Sequence, residues 1–419
     1  MTSFSADLRW RGLLHQVTDD ALLALLDGGR VTVYTGFDPT AASLHLGHLL
    51  PLLTLRRFQL AGHRPIALAG GGTGMVGDPG GRSGERALLG PAALAANLEG
   101  VRPQLARFLD FDDALLLDNA AWLGEARLLE FLRDVGKHFT VNQMVAKESV
   151  RSRSEQGISY TEFSYMLLQA YDFLRLHVDH GCDVQVGGSD QWGNITMGVD
   201  LVRRVAGDHV HGLTTPLLTK ADGTKYGKSE AGAVWLDPDL TSPYQLYQFL
   251  LQAEDDVVGA YLRQLTFLDR PEIEALEAET VARPERRAAQ RALAHEVCAL
   301  VHGDEEAARA ERASRALFDE EIAALDERSL LDVFAEAPST KLARAALDGG
   351  GLAIVDALVR AGLESSRGGA RRVVGQGGAY VNNRRVERED RALSTADLLH
   401  DRYVVLRRGR RDQHLLRFE

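Results

Sequence analysis

The chain has 419 residues, 45% of them apolar and 26% charged, an ordinary globular composition on a length that exceeds one compact core, so two or three domains are expected. Two cysteines, Cys182 and Cys298, exclude a disulfide framework or a Cys-rich zinc site; MTSFSADLRW lacks the apolar core of a secretory signal, no stretch stays apolar for the ~18 residues of a membrane span, and a cytoplasmic protein without a membrane partner is expected. Net charge is −11, which argues against nucleic acid, yet from Gly351 onward fourteen Lys and Arg face nine Asp and Glu, a local +5 that leaves −16 on the preceding 350 residues and marks the tail as a separate electrostatic unit.

The first strand-like run, VTVYTGF, carries Tyr34. HLGH then sets His45 and His48 around Gly47, where an apolar helix begins at about Leu46. Imidazoles so spaced read as structural histidines, as half of a metal site, or as donors at a helix start. PIALAGG is the next strand, and GGGTGMVGDPGGRSGER follows it. Gly72, Gly74 and Gly77 fit the dinucleotide fingerprint GxGxxG, but the acidic residue wanted about 20 positions on falls in the helical LAANLEG. The segment also lacks the GK[ST] of a Walker A loop. Its glycines are therefore expected to let backbone approach a small ligand, with the Asp78 carboxylate at the tip, suited to an ammonium.

ALLLDN, a long helix and DVQVGGSDQ continue the alternation of strands and helices. This predicts an α/β fold, a Rossmann-like doubly wound parallel sheet with ligands outside the carboxyl ends of its strands. On the long helix Tyr165, Gln169 and Asp172 stand at i, i+4 and i+7, one face that is either solvated or lines a pocket. VQVGGSDQWGN adds Gln185, Asp190 and Gln191. ADGTKYGKSE places Lys225 and Lys228 three apart, an exposed charged turn or lysines on glycine hinges that close over a polyphosphate. On the second reading HLGH is the matching cradle, its free N–H groups and dipole facing phosphate and Gly47 letting a nucleotide lie against bare backbone.

From about Ser242 the pattern turns helical. SPY and RPER put Pro where a first helical turn tolerates it, and a helix ends at Gly303. APSTK and LDGGG read as linker; the basic tail has a helical piece at GARRVV and strand-like AYVNN and RYVVLRR. The expected domains are 1–235 catalytic, 236–335 α-helical, 336–350 linker and 351–419 a small α+β unit.

Taken together, YTGFDPTAASLHLGH, GDPGGRSGER, TEFSYMLLQAYDF, GGSDQWGN and KYGKS, in this order, resemble the tyrosyl-tRNA synthetases of bacterial type within the class I aminoacyl-tRNA synthetases. HLGH is similar to the HIGH signature of the class and KYGKS to KMSKS. The resemblance spans nearly the whole chain, and several ordered motifs are far more specific than any one of them. It implies that Tyr34 and Asp172 bind a substrate phenol, with Gly36 beside them, and that Asp78, Tyr165 and Gln169 hold its α-ammonium. Gln185 and Gln191 would border that site. Thr40, Asp38, His45, His48, Gly188 and Asp190 would meet ATP, and Arg82, Arg86, Lys225, Lys228 and Ser229 the phosphates, with Mg²⁺ carried there and no protein-held metal. Arg82 departs from the usual Lys, and Tyr226 and Gly227 replace Met and Ser. SSRGGARRVVGQGGAYVNN is similar to the S-four type of RNA-binding domain, which implies Arg367, Arg371 and Arg372 as tRNA phosphate contacts. A helical anticodon-arm domain, a dimer-forming insertion and a homodimer on tRNA(Tyr) are likewise implied.

The expected chemistry is attack of the L-tyrosine carboxylate on the α-phosphorus of ATP, then transfer of the acyl group to tRNA. A carboxylate with a pKa near ~3.5 needs no general base at neutral pH. Three rivals are a nicotinamide dehydrogenase built on the glycine run, a non-catalytic RNA binder that keeps the fold, and the tryptophanyl relative. Tyr34 with Asp172 and the basic tail weigh against the last.

Overall fold

β-Branched and aliphatic runs build a six-stranded sheet. In spatial order it runs Gln16–Val17 (β1), His211–Thr215 (β6), Val184–Gly188 (β5), Thr32–Phe37 (β2), Arg64–Ala69 (β3) and Leu115–Asp118 (β4). All neighbours are parallel except β1, which pairs antiparallel with β6. The computed structural model describes residues 3–79, 89–151, 157–224, 226–229, 232–316, 320–335, 337–409 and 412–419, without the side chains of Ser149, Lys228, Ser229, Glu320 and Glu321. The chain steps from β2 outward to β3 and β4, then returns to the other side of β2 as β5. That reversal makes the carboxyl ends of β2 and β5 the topological switch point, where an open α/β sheet has its crevice. β6 is the strand whose local pattern is weakest: HGLTT lacks an apolar alternation, yet all five residues are buried because its neighbours on both sides supply the pairing.

Four helices position the site. Leu46–Leu60 (α1) buries residues on nearly every face, including Leu46, Leu49, Leu53 and Phe58, as a helix between sheet and other helices must. Pro91–Phe108 (α2) starts with Pro at its first position. Tyr160–His180 (α3) is capped by Ser159, whose side chain accepts from the Glu162 N–H, and stops at Gly181 with φ of 63°, an αL end that glycine adopts without penalty. Trp192–Val205 (α4) follows β5. Tyr34, Ile66, Leu68, Phe173, Leu176 and Leu201 meet in one buried cluster between sheet and helices. A fifth helix, Asp255–Leu265 (α5), belongs to the same compact unit, which comprises the chain up to Thr241 and Ala253–Leu293.

The second unit is Ser242–Gln252 with Ala294–Glu419, so the helical stretch expected over 236–335 is divided between the two. A five-stranded sheet runs Arg384–Arg385, Ala379–Val381, Tyr403–Arg408, Asp412–Phe418 and Ser339–Leu342. The last strand lies inside the expected linker 336–350, which is therefore corrected: Ser339–Leu342 pairs parallel with Leu415–Phe418. A short polar STK run has no strand signature of its own, and the partner that orders it lies more than seventy residues away in sequence. Ile354–Arg360 and Arg367–Gly375 are helices whose Ile354, Leu358, Ala370 and Val374 share a core with Val404 and Leu416. The turn at Asn382–Asn383 has φ of 46° and 61°, the two-residue hairpin geometry that asparagine tolerates. No helix among the described residues is long and apolar enough to cross a membrane.

Candidate functional site

The carboxyl edge of the sheet gathers polar side chains into two hydrogen-bonded chains. Asp172, on the buried side of α3, accepts from Asn119 Nδ2 at 2.9 Å and from Trp122 Nε1 at 2.7 Å. Asn119 follows β4 and also donates to Thr73 Oγ1 at 2.9 Å, which in turn donates to Asp38 at 2.7 Å. Asp38 accepts a further bond from Tyr165 Oη at 2.9 Å. One network thus links the ends of β2, β3 and β4 to α3. Burial pushes Asp172 up to about 7, against the lowering effect of its Asn119 and Trp122 donors. Burial likewise raises the Tyr165 phenol, helped by the carboxylates Asp38, Asp78 and Asp172. Tyr165 therefore stays a neutral donor.

Tyr34 is 1% exposed, and its hydroxyl has no hydrogen-bond partner among the described residues. Its ring lies 5.3 Å from Phe173, the neighbour of Asp172 in sequence. Burial, then the Asp172 charge, hold its phenol well above its ordinary pKa. An unmet buried hydroxyl costs about 1–3 kcal/mol, so this one is suited to a hydrogen bond with a bound ligand. Gln185, opposite Tyr34 in the sheet, has an unmet Oε1 as well. Gly36, two residues further along β2, is exposed and has open space where a side chain would stand. A small ligand can enter there.

The second chain joins Asp78 to α3. Gln191 Nε2 donates to Asp78 at 2.6 Å, while Asn194 Nδ2 donates to Gln191 Oε1 at 3.2 Å and to Gln169 Oε1 at 2.9 Å. Asp190 and Gln191 sit in the 3₁₀ turn after β5, next to Gly188. Sequence reasoning missed Thr73, Asn119, Trp122 and Asn194. For Asn119 there was a signal, a polar residue closing the apolar strand LLLD at the ligand edge. Asn194 closes the quoted run GGSDQWGN, while Trp122 had no signal.

At the start of α1 the histidines serve each other. His45 is the N-cap; its Nδ1 accepts from the Gly47 N–H at 3.1 Å, and His48 Nδ1 accepts from the His45 N–H at 3.1 Å. The rings stack at 3.9 Å with 21° between planes. Both Nδ1 atoms are thus acceptors, leaving each Nε2 as the protonated nitrogen of a neutral ring. A Cβ at Gly47 would meet the His45 ring at 2.9 Å. The bare backbone at Gly47 is therefore needed by the histidine itself. The turn is fixed from outside by Gln104 Oε1, which accepts from the Leu44 N–H at 2.8 Å, and by the Leu46 N–H donating to Val234 O at 2.8 Å. Thr40, half-buried, donates its N–H to Asp38 O.

The glycine run differs from its expected role. A side chain at Gly70 would collide with the Asp38 carboxylate, and one at Gly71 with Asp118. Leu123 and Leu94 occupy the space over Gly72 and Gly74, each 2.9 Å from a Cβ there. Gly70, Gly71, Gly72 and Gly74 thus admit the protein's own side chains. Arg82, Arg86 and Lys225 lie outside the described residues, as do the side chains of Lys228 and Ser229, whose backbone pairs with Gly232–Ala233. In the second unit Arg371 and Arg372 are exposed, while Arg367 donates to both carboxylate oxygens of Asp356.

The chain is similar to known proteins over nearly its whole length. The family described as class I tRNA synthetases (W and Y) matches residues 26–319, and the tyrosine–tRNA ligase SYY-like C-terminal domain matches residues 330–416. A tyrosine–tRNA ligase of Roseiflexus castenholzii is 55% identical over the whole of both chains, and one of Opitutus terrae 56% identical over 97% of each. The crystal structure of a C-terminally truncated mitochondrial tyrosyl-tRNA synthetase of Aspergillus nidulans superposes with a TM-score of 0.69 at 36% identity, covering 76% of this chain and 95% of that one. Fold, signatures and near-complete coverage agree: the chain belongs to the class I tRNA synthetases of the tryptophan and tyrosine group, with the C-terminal domain of the tyrosine branch.

Proposed function

We propose that the chain is a tyrosine–tRNA ligase, forming tyrosyl adenylate and pyrophosphate from L-tyrosine and ATP and passing the tyrosyl group to the 3′ end of tRNA(Tyr). The observation that carries this reading is the buried, unmet hydroxyl of Tyr34 in the same core as the Asp172 carboxylate. A substrate phenol satisfies both: it accepts from Tyr34 and donates to Asp172, whose Asn119 and Trp122 donors fix its orientation. Asp78, Tyr165 and Gln169 then receive the α-ammonium, with Gln191 and Gln185 bordering it. The substrate carboxylate attacks the α-phosphorus without a base.

Catalysis rests on placement and on charge. Thr40, His45 and His48 at the start of α1 meet the phosphates together with Lys225, Lys228, Ser229, Arg82 and Arg86, while Asp38, Gly188 and Asp190 border the nucleotide. Mg²⁺ enters as part of the ATP substrate. tRNA binds on Arg371 and Arg372, and on Arg367 once it exchanges Asp356 for a phosphate. On this reading the helices of 236–335, shared between the two compact units, serve the anticodon arm, and the tail is of the S-four type. A cytoplasmic homodimer is part of the reading: Leu128, Leu129, Leu132, Val141 and Val145 concentrate exposed large hydrophobics in one insertion between β4 and α3, with Tyr160 at the start of α3, a surface that a second copy would cover. ATP–pyrophosphate exchange measured with each proteinogenic amino acid tests the whole. Exchange with tyrosine alone is expected; exchange driven by tryptophan, or none, contradicts it.

A further inference from the structure

The KYGKS segment leaves the body of the protein through a closed hairpin. The Tyr226 N–H donates to Leu218 O at 2.8 Å, the Lys220 N–H donates to Thr224 O at 2.8 Å, and Asp222 caps the tip through Thr224. One side chain of α5 touches both legs of this root. Tyr261 donates its hydroxyl to Thr219 O at 2.6 Å and stacks its ring on Tyr226 at 4.5 Å, with 29° between planes. Both rings are buried, Tyr261 at 3% and Tyr226 at 8% exposure.

The far end of α5 is fastened to the helix that bears HLGH. Arg57 of α1, 5% exposed, donates to Gln264 O at 3.2 Å and Thr266 O at 2.5 Å, and lies over the Phe267 ring at 4.5 Å. Arg11 donates to Arg263 O at 3.1 Å and Leu268 O at 3.0 Å. Arg263 O and Gln264 O are among the last carbonyls of α5, acceptors without an intrahelical donor, and two cations there oppose the negative dipole end, while Thr266 O and Leu268 O lie just beyond it. At the other end of α1, a Cβ at Gly227 would stand 3.4 Å from Gly47 N and 3.5 Å from Leu46 Cβ. The two signatures are therefore joined by a bracket, running from α1 through Arg57 to α5 and through Tyr261 to the hairpin.

We propose that Tyr261 is a positioning residue for the KYGKS segment, its ring and hydroxyl fixing the root from which the lysine-bearing chain passes over the start of α1. The role rests on the adenylate-forming reading given above. It also explains why an aromatic residue stands where the signature usually has Met: Tyr226 supplies a flat face for the stack. A shifted root displaces groups that act on the departing pyrophosphate and leaves the tyrosine pocket alone, so the effect falls on rate rather than on tyrosine affinity.

The test compares Tyr261→Leu, Tyr261→Phe and Tyr226→Leu with the parent in single-turnover adenylate formation and in equilibrium tyrosine binding. Tyr261→Leu is expected to slow the reaction about tenfold or more, with tyrosine affinity within about twofold. Tyr261→Phe, which keeps the stack, recovers most of the rate. The double Leu variant is no slower than the slower single one, because both remove the same contact. Trypsin provides a readout free of catalysis: cleavage after Lys220 and Lys225 accelerates in Tyr261→Leu and not in Tyr261→Phe. A parental rate in Tyr261→Leu, a loss of tyrosine affinity in step with the rate, or a Phe variant no better than Leu overturns the proposal. Should Tyr261→Leu not fold, Tyr226→Leu removes the stack from the other side and carries the same expectations. If the parent shows no tyrosine-dependent exchange, the functional reading fails by itself, and the trypsin comparison alone decides the clamp.

Discussion

The tyrosine end and the phosphate end of the site are built by opposite means. At the tyrosine end, Asp172, Asn119, Thr73, Asp38 and Tyr165 form a buried chain in which every member holds the next. At the phosphate end, two histidines cap a helix start and stack on each other, and the glycines of HLGH and KYGKS lie side by side. On the proposed function the first region reads one hydroxyl and draws selectivity from groups that are costly to leave unpaired. On the same proposal the second offers N–H groups, a dipole and ring donors to a triphosphate and draws rate from where they stand. Selectivity and rate should therefore come apart under mutation.

The largest expected separation is at His45. His45→Ala removes the cap on Gly47 N–H and a phosphate-side donor, so adenylate formation should fall by roughly 10²-fold, while tyrosine affinity stays within about twofold. Rapid-quench kinetics beside equilibrium binding checks this. A parallel loss of both would merge the two regions into one.

Next comes pH. The folded-state pKa of Asp172, about 7 against 3.8 for a free carboxyl, lies above the unfolded value. Native protein holds its proton between about pH 4 and pH 7 while the unfolded chain has released it, so this group's contribution to stability is full below about pH 4 and is lost as pH rises to 7. Binding runs the other way. The carboxylate is the stronger acceptor for a phenol, so tyrosine affinity should weaken as pH falls below about 7 and level off above it. Calorimetric titration across that range reads it; an affinity flat from pH 6 to 8 would remove Asp172 from the contact.

The smallest expected effect is on folding stability. Tyr34→Phe deletes a hydroxyl that pairs with no described protein group, so thermal unfolding should show no loss, or a gain of about 1 kcal/mol. The same change should weaken tyrosine relative to phenylalanine by roughly tenfold. Marked destabilisation would mean that the hydroxyl has a partner in the free protein.

Much of this was legible in the chain. The alternation of strands and helices, the start of α1 at Leu46 and the convergence on one sheet edge follow from period and punctuation alone. Tyr165, Gln169 and Asp172 share a face by spacing, but spacing left open whether that face meets water or a pocket. What decides it is Asn119 and Trp122, about fifty positions from Asp172 in sequence, contacts that no local pattern encodes. The neighbours of Gly70 and Gly71 are hidden for the same reason: Asp38 and Asp118 are brought beside them only by strand pairing. Ser339–Leu342 read as linker because an edge strand takes its order from its partner.

The central claim is that the buried pair Tyr34 and Asp172 selects the substrate by its hydroxyl. The most direct measurement is the ratio of kcat/KM for tyrosine to that for phenylalanine in ATP–pyrophosphate exchange, in the parent and in Tyr34→Phe. The account predicts strong rejection of phenylalanine by the parent and a ratio reduced by roughly tenfold in the variant. A parent that activates both amino acids alike, or a variant with an unchanged ratio, contradicts it.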